Sequence, residues 1–252
     1  MIKVENIIKS FDNEEVLNGI TTEFETGKTN LIIGQSGSGK TVLLKCIVGL
    51  LDPDSGEIFY DGRAFTEMEK NERAALRSEI GMLFQGSALF DSMSIQDNVL
   101  FPLRMFSPLT DKEKVKRAQY CLDRVGLKDS YNLFPSEISG GMQKRAAIAR
   151  AIALNPKYLF CDEPNSGLDP LTSIRIDELI SDITKEYEMT TIINTHDMNS
   201  VITMGEKIVF IYKGNKEWEG GKDDLFDSDN EKLNEFVFAS KMMQKDGIKK
   251  NL

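Results

Sequence analysis

Residues 29–50 read TNLIIGQSGSGKTVLLKCIVGL, and this stretch decides the fold. Thr29 to Ile33 is a short apolar run of the kind that forms a strand buried on both faces, and it ends at Gly34. From about Lys40 to Leu50 the pattern is helical, with Asp52-Pro53 as the stop. Between strand and helix lies GQSGSGKT, that is Gly34, Gln35, Ser36, Gly37, Ser38, Gly39, Lys40 and Thr41. Its three glycines let the backbone wrap a phosphate with the N–H groups pointing inward, and the helix N-terminus adds partial positive charge. Lys40 is placed to reach β- and γ-phosphates, and the Thr41 hydroxyl to bind Mg²⁺.

Outward from this loop, the first 30 residues read as short antiparallel strands with turns. Ile2 and Val4 alternate with polar residues, and Ile20, Thr22 and Phe24 follow Asn18-Gly19. Glu57 to Tyr60 with Asp61-Gly62 predicts a hairpin edge. Ile80 to Phe84 predicts a further strand. From about residue 86 to 155 the pattern turns helical: Ser94-x-x-Asp97 and Thr110-x-x-Glu113 have the form of capping boxes, and Gly126 fits a helix C-cap. Strands return at Tyr158 to Cys161, Thr190 to Asn194 and Lys207 to Tyr212, with a helix from Pro170 that Asp169 would cap. Strands alternating with helices imply an α/β fold with a largely parallel sheet. The expected organisation is one domain: a core with its β subdomain over 1–85 and 156–224, an inserted α-helical subdomain over 86–155, and a C-terminal helix and tail over 225–252. In that last part Leu233, Phe236, Val237 and Ser240 share a helical face, and KMMQKDGIKKNL reads as a mobile tail.

The chain has 252 residues and a formal charge of −9, with acidic residues spread along its length. That balance argues against nucleic-acid binding by phosphate neutralisation, so no nucleic-acid partner is expected. Cys46, Cys121 and Cys161 are far apart and lack metal-ligand spacing, as expected of reduced thiols in the cytosol. The N-terminus lacks the apolar core of a secretory signal, and the longest apolar run, Val42 to Leu51, is too short to span a bilayer. If the protein works at a membrane, another chain must supply the spanning helices.

The stretch from Ile138 to Pro164, ISGGMQKRAAIARAIALNPKYLFCDEP, adds what a phosphate loop alone cannot. A Ser-Gly-Gly turn opens a helix, and an apolar strand then ends in Asp162-Glu163, at the edge where open α/β sheets place ligands. Asp162 would hold Mg²⁺ directly or through a water. This order of motifs, over about residues 1–220, resembles the ATPase subunit of ATP-binding cassette (ABC) transporters. The resemblance implies a P-loop NTPase (RecA-like) core that binds ATP and Mg²⁺, and it assigns roles residue by residue. Glu163 orients and polarises the attacking water as general base. His196, the only histidine in the chain, donates to the γ-phosphate. Gln85 senses Mg²⁺ and the water while joining the core to the helical subdomain. Ser139, Gly140 and Gly141 meet the γ-phosphate bound to an opposing subunit, so the active unit is a head-to-tail homodimer. Ser166 and Asp169, in SGLD, lie in the loop that crosses the dimer, and Phe11 falls where an aromatic stacks on adenine. The fifth signature position is Met142, with Gln143 one place later.

The combination FQGSALF, DNVLFPLR, ISGGM, DEPNSGLDP and NTHDM is similar to the ATPases of Mla-type lipid transporters, which serve MCE-domain systems; those usually read Ser-Gly where this chain has Gly86-Ser87. That similarity implies an integral membrane permease and an MCE-domain lipid-binding protein as partners, phospholipid as cargo, and a peripheral place on the cytoplasmic face of the bacterial inner membrane. Leu89, Phe90 and Met93 would form the pocket for the permease. Two other readings stand beside it: the ATPase of another ABC solute transporter or of a cell-division system, and an ABC protein of translation or DNA repair. The last usually carries two cassettes or long coiled coils, whereas this chain has one phosphate loop and no heptad run.

Overall fold

The computed structural model describes residues 1–12 and 14–239. The chain opens with two long strands, β1 (Ile2–Phe11) and β2 (Glu14–Phe24), then β3 (Thr29–Ile33) and α1 (Lys40–Val48). A hairpin of β4 (Ser55–Tyr60) and β5 (Arg63–Ala64) leads through α2 (Lys70–Ser78) to β6 (Ile80–Leu83). The helical stretch holds α3 (Ile95–Phe106), α4 (Asp111–Arg124) and α5 (Gly140–Ala151), with two short 3-10 turns before α5. Then follow β7 (Tyr158–Asp162), α6 (Pro170–Glu186), β8 (Thr190–Thr195), α7 (Met198–Met204), β9 (Lys207–Tyr212), β10 (Asn215–Gly220) and α8 (Glu231–Ala239).

Two sheets result. One is antiparallel, in the order β2-β1-β4-β5; the other runs β10-β9-β3-β8-β7-β6 and is parallel apart from β10. The period of two in a strand sends alternate side chains of the central strands to opposite faces. Ile32, Phe160, Ile192 and Val209 join α1 and the antiparallel sheet in one core cluster. Leu31, Ile33, Cys161, Ile193 and Phe210 join α3 to α8 in the other. Burial on both faces explains why these strands read as continuous apolar runs. All three cysteines are buried free thiols, and burial pushes Cys46 and Cys121 up to about 11. No helix among the described residues is long and apolar enough to cross a membrane.

Several local expectations change. Asn18-Gly19 does not turn the chain; it lies inside β2 opposite a register shift, where Ile7 pairs with Ile20 and Ile8 with Asn18. β1 and β2 are therefore one long bulged ribbon rather than short strands. The first helix ends sooner than Leu50, because Gly49 takes a left-handed conformation and donates back to Cys46 and Lys45. Thr110 and Glu113 form a reciprocal capping box, whereas Ser94 caps α3 by accepting from the Asp97 amide. α8 buries Leu233 and Val237, while Ser240 and the tail lie outside the described residues.

Candidate functional site

β3 delivers the chain to Gly34 at the carboxyl end of the parallel sheet. The loop that follows is closed by the Ser38 amide donating to the Gln35 carbonyl at 3.2 Å. Two of its glycines have no substitute. A Cβ on Gly34 (φ 153°) would lie 2.2 Å from the Ile211 carbonyl, and one on Gly39 (φ 104°) would lie 2.8 Å from the Val16 carbonyl. Because the α1 N-cap is Gly39, no side chain satisfies the first amides of that helix, which leaves them for an anion. Lys40 is buried, and its Nζ donates to the carbonyls of Gly34 and Gln35 at 2.9 Å each. Burial lowers its pKa from the ordinary lysine value, while the carboxylates of Glu163 and Asp162 pull the other way. Its cation thus waits at the loop for negative charge.

Beside the loop, Thr41, Asp162 and Asn194 form a triangle. Thr41 Oγ1 donates to Asp162 Oδ1 at 3.3 Å, and Asn194 Nδ2 donates to both, at 3.2 and 3.1 Å. Asn194 is fully buried, and its own Oδ1 is without a partner. The described residues contain no cluster of three or more His, Cys, Asp or Glu side chains able to hold a metal. A hydroxyl and one carboxylate are instead the donor set that suits Mg²⁺ arriving with nucleotide phosphates, a metal that keeps waters and takes few protein oxygens. The residues present fit that ion.

Glu163 follows β7 in a left-handed conformation (φ 48°), its amide donating to the Asn194 carbonyl at 2.9 Å. Such a backbone is uncommon outside glycine and aims the carboxylate away from the strand line. Its Oε1 lies 2.9 Å from His196 Nδ1. In the tautomer with its proton on Nδ1, the imidazole donates to this carboxylate. Gln85 Nε2 donates to Ser166 Oγ at 3.2 Å, and buried Lys144 of α5 donates to the Gln85 carbonyl, tying the end of β6 to the helical stretch.

Part of this constellation lines one cavity of about 760 Å³, while Asp162 and Asn194 lie behind its wall beside Thr41. Gln35, Lys40, Thr41, Gln85, Glu163 and His196 are among the residues lining it. Sequence reasoning missed four others in its wall: Val16, Val42, Met198 and Phe236. It also missed Asn194, whose only signal was a polar residue inside the apolar run IINT. Phe236 had none, since α8 is remote in sequence and reaches the site by packing on Phe210, with ring centroids 5.5 Å apart.

Other expected site residues lie elsewhere. Ser139 caps α5 by accepting from the Met142 amide; it is exposed with Gly140 and, like Gly140 and Gly141, does not line the cavity of its own chain. Asp169 caps α6, accepting from the amides of Leu171 and Thr172 at 3.1 and 3.0 Å; the Thr172 hydroxyl, together with those bonds, holds its carboxyl below the usual range. Phe11 is exposed at the end of β1, with the Lys9 ammonium 5.5 Å from its ring centroid, and it is not part of the cavity wall.

A second, apolar cavity of about 440 Å³ opens between β6 and the helices. Met82, Phe84, Phe90, Phe101, Pro102 and Leu154 line it. Phe90 and Phe101 remain about 40% and 36% exposed although their rings are only 4.9 Å apart, so this aromatic pair is uncovered. Arg150 holds the rim by donating to the carbonyls of Ala88 and Ser87. Of the residues expected here, only Phe90 lines the groove; Leu89 packs against the core, and Met93 is half-buried outside it.

A family model described as "ABC transporter" matches residues 17–166. Among curated relatives, the "Probable ribonucleotide transport ATP-binding protein mkl" of Mycobacterium leprae is 36% identical over 94% of this chain, which spans 68% of that longer protein. The "Intermembrane phospholipid transport system ATP-binding protein MlaF" of Haemophilus influenzae is 35% identical, over 94% of this chain and 90% of its own length. The "Methionine import ATP-binding protein MetN" of Campylobacter jejuni is 36% identical over 98% of this chain and 79% of its own. Among solved structures, the dimeric bacterial ABC transporter cassette MJ0796 superposes with a TM-score of 0.80 at 32% identity, covering 88% of this chain and 99% of that one. The same cassette is also known as a dimer in a post-hydrolysis state bound to ADP and Pi.

Proposed function

The chain belongs to the ABC transporter family as one of its ATP-hydrolysing subunits, and from that premise we propose that it energises phospholipid transport between envelope membranes. The observation that carries this finer reading is the combination of motifs at the phosphate-sensing turns, ISGGM, DEPNSGLDP and NTHDM. The likeness to MlaF over nearly the full length of both chains supports it. The partners are a second copy of the chain, an integral permease and an MCE-domain protein, with the subunit peripheral on the cytoplasmic face of the inner membrane.

In this reading the phosphate loop and α1 amides enclose the β- and γ-phosphates, and Lys40 exchanges its two loop carbonyls for phosphate oxygens. Thr41, Asp162 and Gln85 would hold Mg²⁺, and Asn194 fixes the Asp162 carboxylate. Mg²⁺ supplies charge neutralisation of the phosphates. Glu163 takes the proton of the attacking water, while His196 keeps Nδ1–H on Glu163 and donates Nε2–H to the γ-phosphate when it carries both protons. Ser139, Gly140 and Gly141 close on that phosphate from the partner copy; Ser166 and Asp169 cross the same interface, and Phe11 swings onto adenine. Loss of phosphate removes the contacts of Ser139 and His196, and the dimer opens. Residues 86–155 would be the arm that carries the Phe90–Phe101 groove to a helix of the permease.

Tagging the chain in its native cell, solubilising membranes gently and identifying copurifying proteins by mass spectrometry tests this. A multispanning permease with an MCE-domain protein is the expected result. A solute permease or a division protein would discard the lipid assignment and keep the ATPase.

A further inference from the structure

Beneath the Glu163–His196 pair lies a polar cluster that the hydrolytic scheme does not use. Asn165 follows Glu163 by two residues, and its Nδ2 donates to Asp177 Oδ1 of α6 at 2.7 Å and to Ser200 Oγ of α7 at 3.0 Å. Asp177 and Ser200 are 1% and 0% exposed. Burial and the charges of Asp197 and Glu178 push the Asp177 carboxyl up to about 6, against the pull of its neighbours Ser200 and Asn165. Above that pH Asp177 is a pure acceptor, so Asn165 must turn its NH₂ toward it; its Oδ1 is left buried without a partner. Helix, sheet and apolar core do not need a carboxylate at this position, and burying one is unfavourable unless its hydrogen bonds have a use.

The geometry joins two turns. Asn165 sits in the turn that holds Glu163 in its left-handed conformation, closed by the Ser166 amide on the Glu163 carbonyl at 3.1 Å. Ser200 sits in α7, whose N-cap Asp197 directly follows His196. We propose that Asn165, Asp177 and Ser200 are positioning residues that clamp the Glu163 turn to the His196 turn, so that the group addressing water and the group addressing the γ-phosphate keep one fixed separation. This rests on the hydrolytic roles given to Glu163 and His196 above. None of the three lines the nucleotide cavity, so nucleotide affinity is expected to be independent of the clamp.

An isosteric exchange of charge tests the clamp without opening a hole. Asn165→Asp sets two carboxylates at hydrogen-bond distance, whereas Asn165→Asp with Asp177→Asn restores an acceptor and a donor in swapped places. In the full chain, Asn165→Asp is expected to lower kcat for ATP at least about tenfold, with KM and the Kd for a fluorescent ATP analogue within about twofold of wild type. The double variant should recover to within about threefold of wild-type kcat. Glu163→Gln is assayed alongside. If Glu163→Gln is inactive and Asn165→Asp turns over normally, or the double variant recovers nothing, the clamp is overturned. If Glu163→Gln itself turns over normally, the parent reading fails instead. Should Asn165→Asp show no cooperative thermal transition, Ser200→Ala takes its place, with about a threefold loss in kcat expected at unchanged Kd and wild-type kcat overturning the clamp.

Discussion

The two cavities are built by opposite means. The nucleotide cavity is made by backbone: left-handed glycines, a helix N-terminus and the ends of β3, β7 and β8 put polar groups where the strand order dictates. The groove at Phe84, Phe90 and Phe101 is made by side chains that nothing among the described residues covers. Backbone-built sites recur wherever the fold recurs, so the first cavity identifies a class of engine and says little about cargo. An uncovered aromatic pair is particular to the chain that carries it, and there a specific partner leaves its imprint.

If that division is right, substitutions should separate cleanly. The largest effect expected is Glu163→Gln, which keeps ATP bound and lowers kcat by a factor of about a thousand, read in a steady-state phosphate-release assay beside nucleotide binding. Retained turnover would remove the carboxylate from the mechanism. Phe101→Asp should act the other way: ATP affinity stays, while the copurified permease falls by about thirtyfold or more, as loss of an interface hot spot demands. A variant that lost ATP affinity instead would erase the distinction between the cavities.

A pH experiment touches only the first region. Asp177 titrates at about 6 when folded, above an ordinary carboxyl. Between its unfolded value near 4 and about 6 the native state holds a proton that the unfolded state lacks, so this group adds stability as pH falls through 6 and subtracts it above. Denaturant midpoints should show wild type gaining about 2 kcal/mol relative to Asp177→Asn between pH 7.5 and 4.5. A pH-independent difference would mean the carboxyl is not held as described. Smallest is Thr110→Ala, which removes the capping box of α4 and should cost about 1 kcal/mol of stability, with kcat unchanged in the isolated chain.

The same division explains what could be read from the sequence. Thr29 to Thr41, Asp162, Glu163 and His196 were legible because each combines a residue type with a place at the end of an apolar strand. α2 was not, since KNERAALRS buries only Leu76 among mostly charged and small residues. α7 has only seven residues, and β10, NKEWEG, is an edge strand with no buried residue. Met198 and Phe236 reach the nucleotide cavity through tertiary packing, which no local period encodes. Leu89 and Phe90 are adjacent and equally apolar; only the path of the loop, held by Arg150, sends one inward and leaves the other at the groove.

The chain's single histidine sits 2.9 Å from Glu163 with about two thirds of its side chain exposed. An untagged sample therefore has one imidazole to observe, and it lines the nucleotide cavity. Its C2-proton resonance would arrive already assigned, and a histidine-selective reagent would strike one place. On the proposed role of His196, the molecule carries its own spectroscopic gauge of whether a terminal phosphate is present, with no label added.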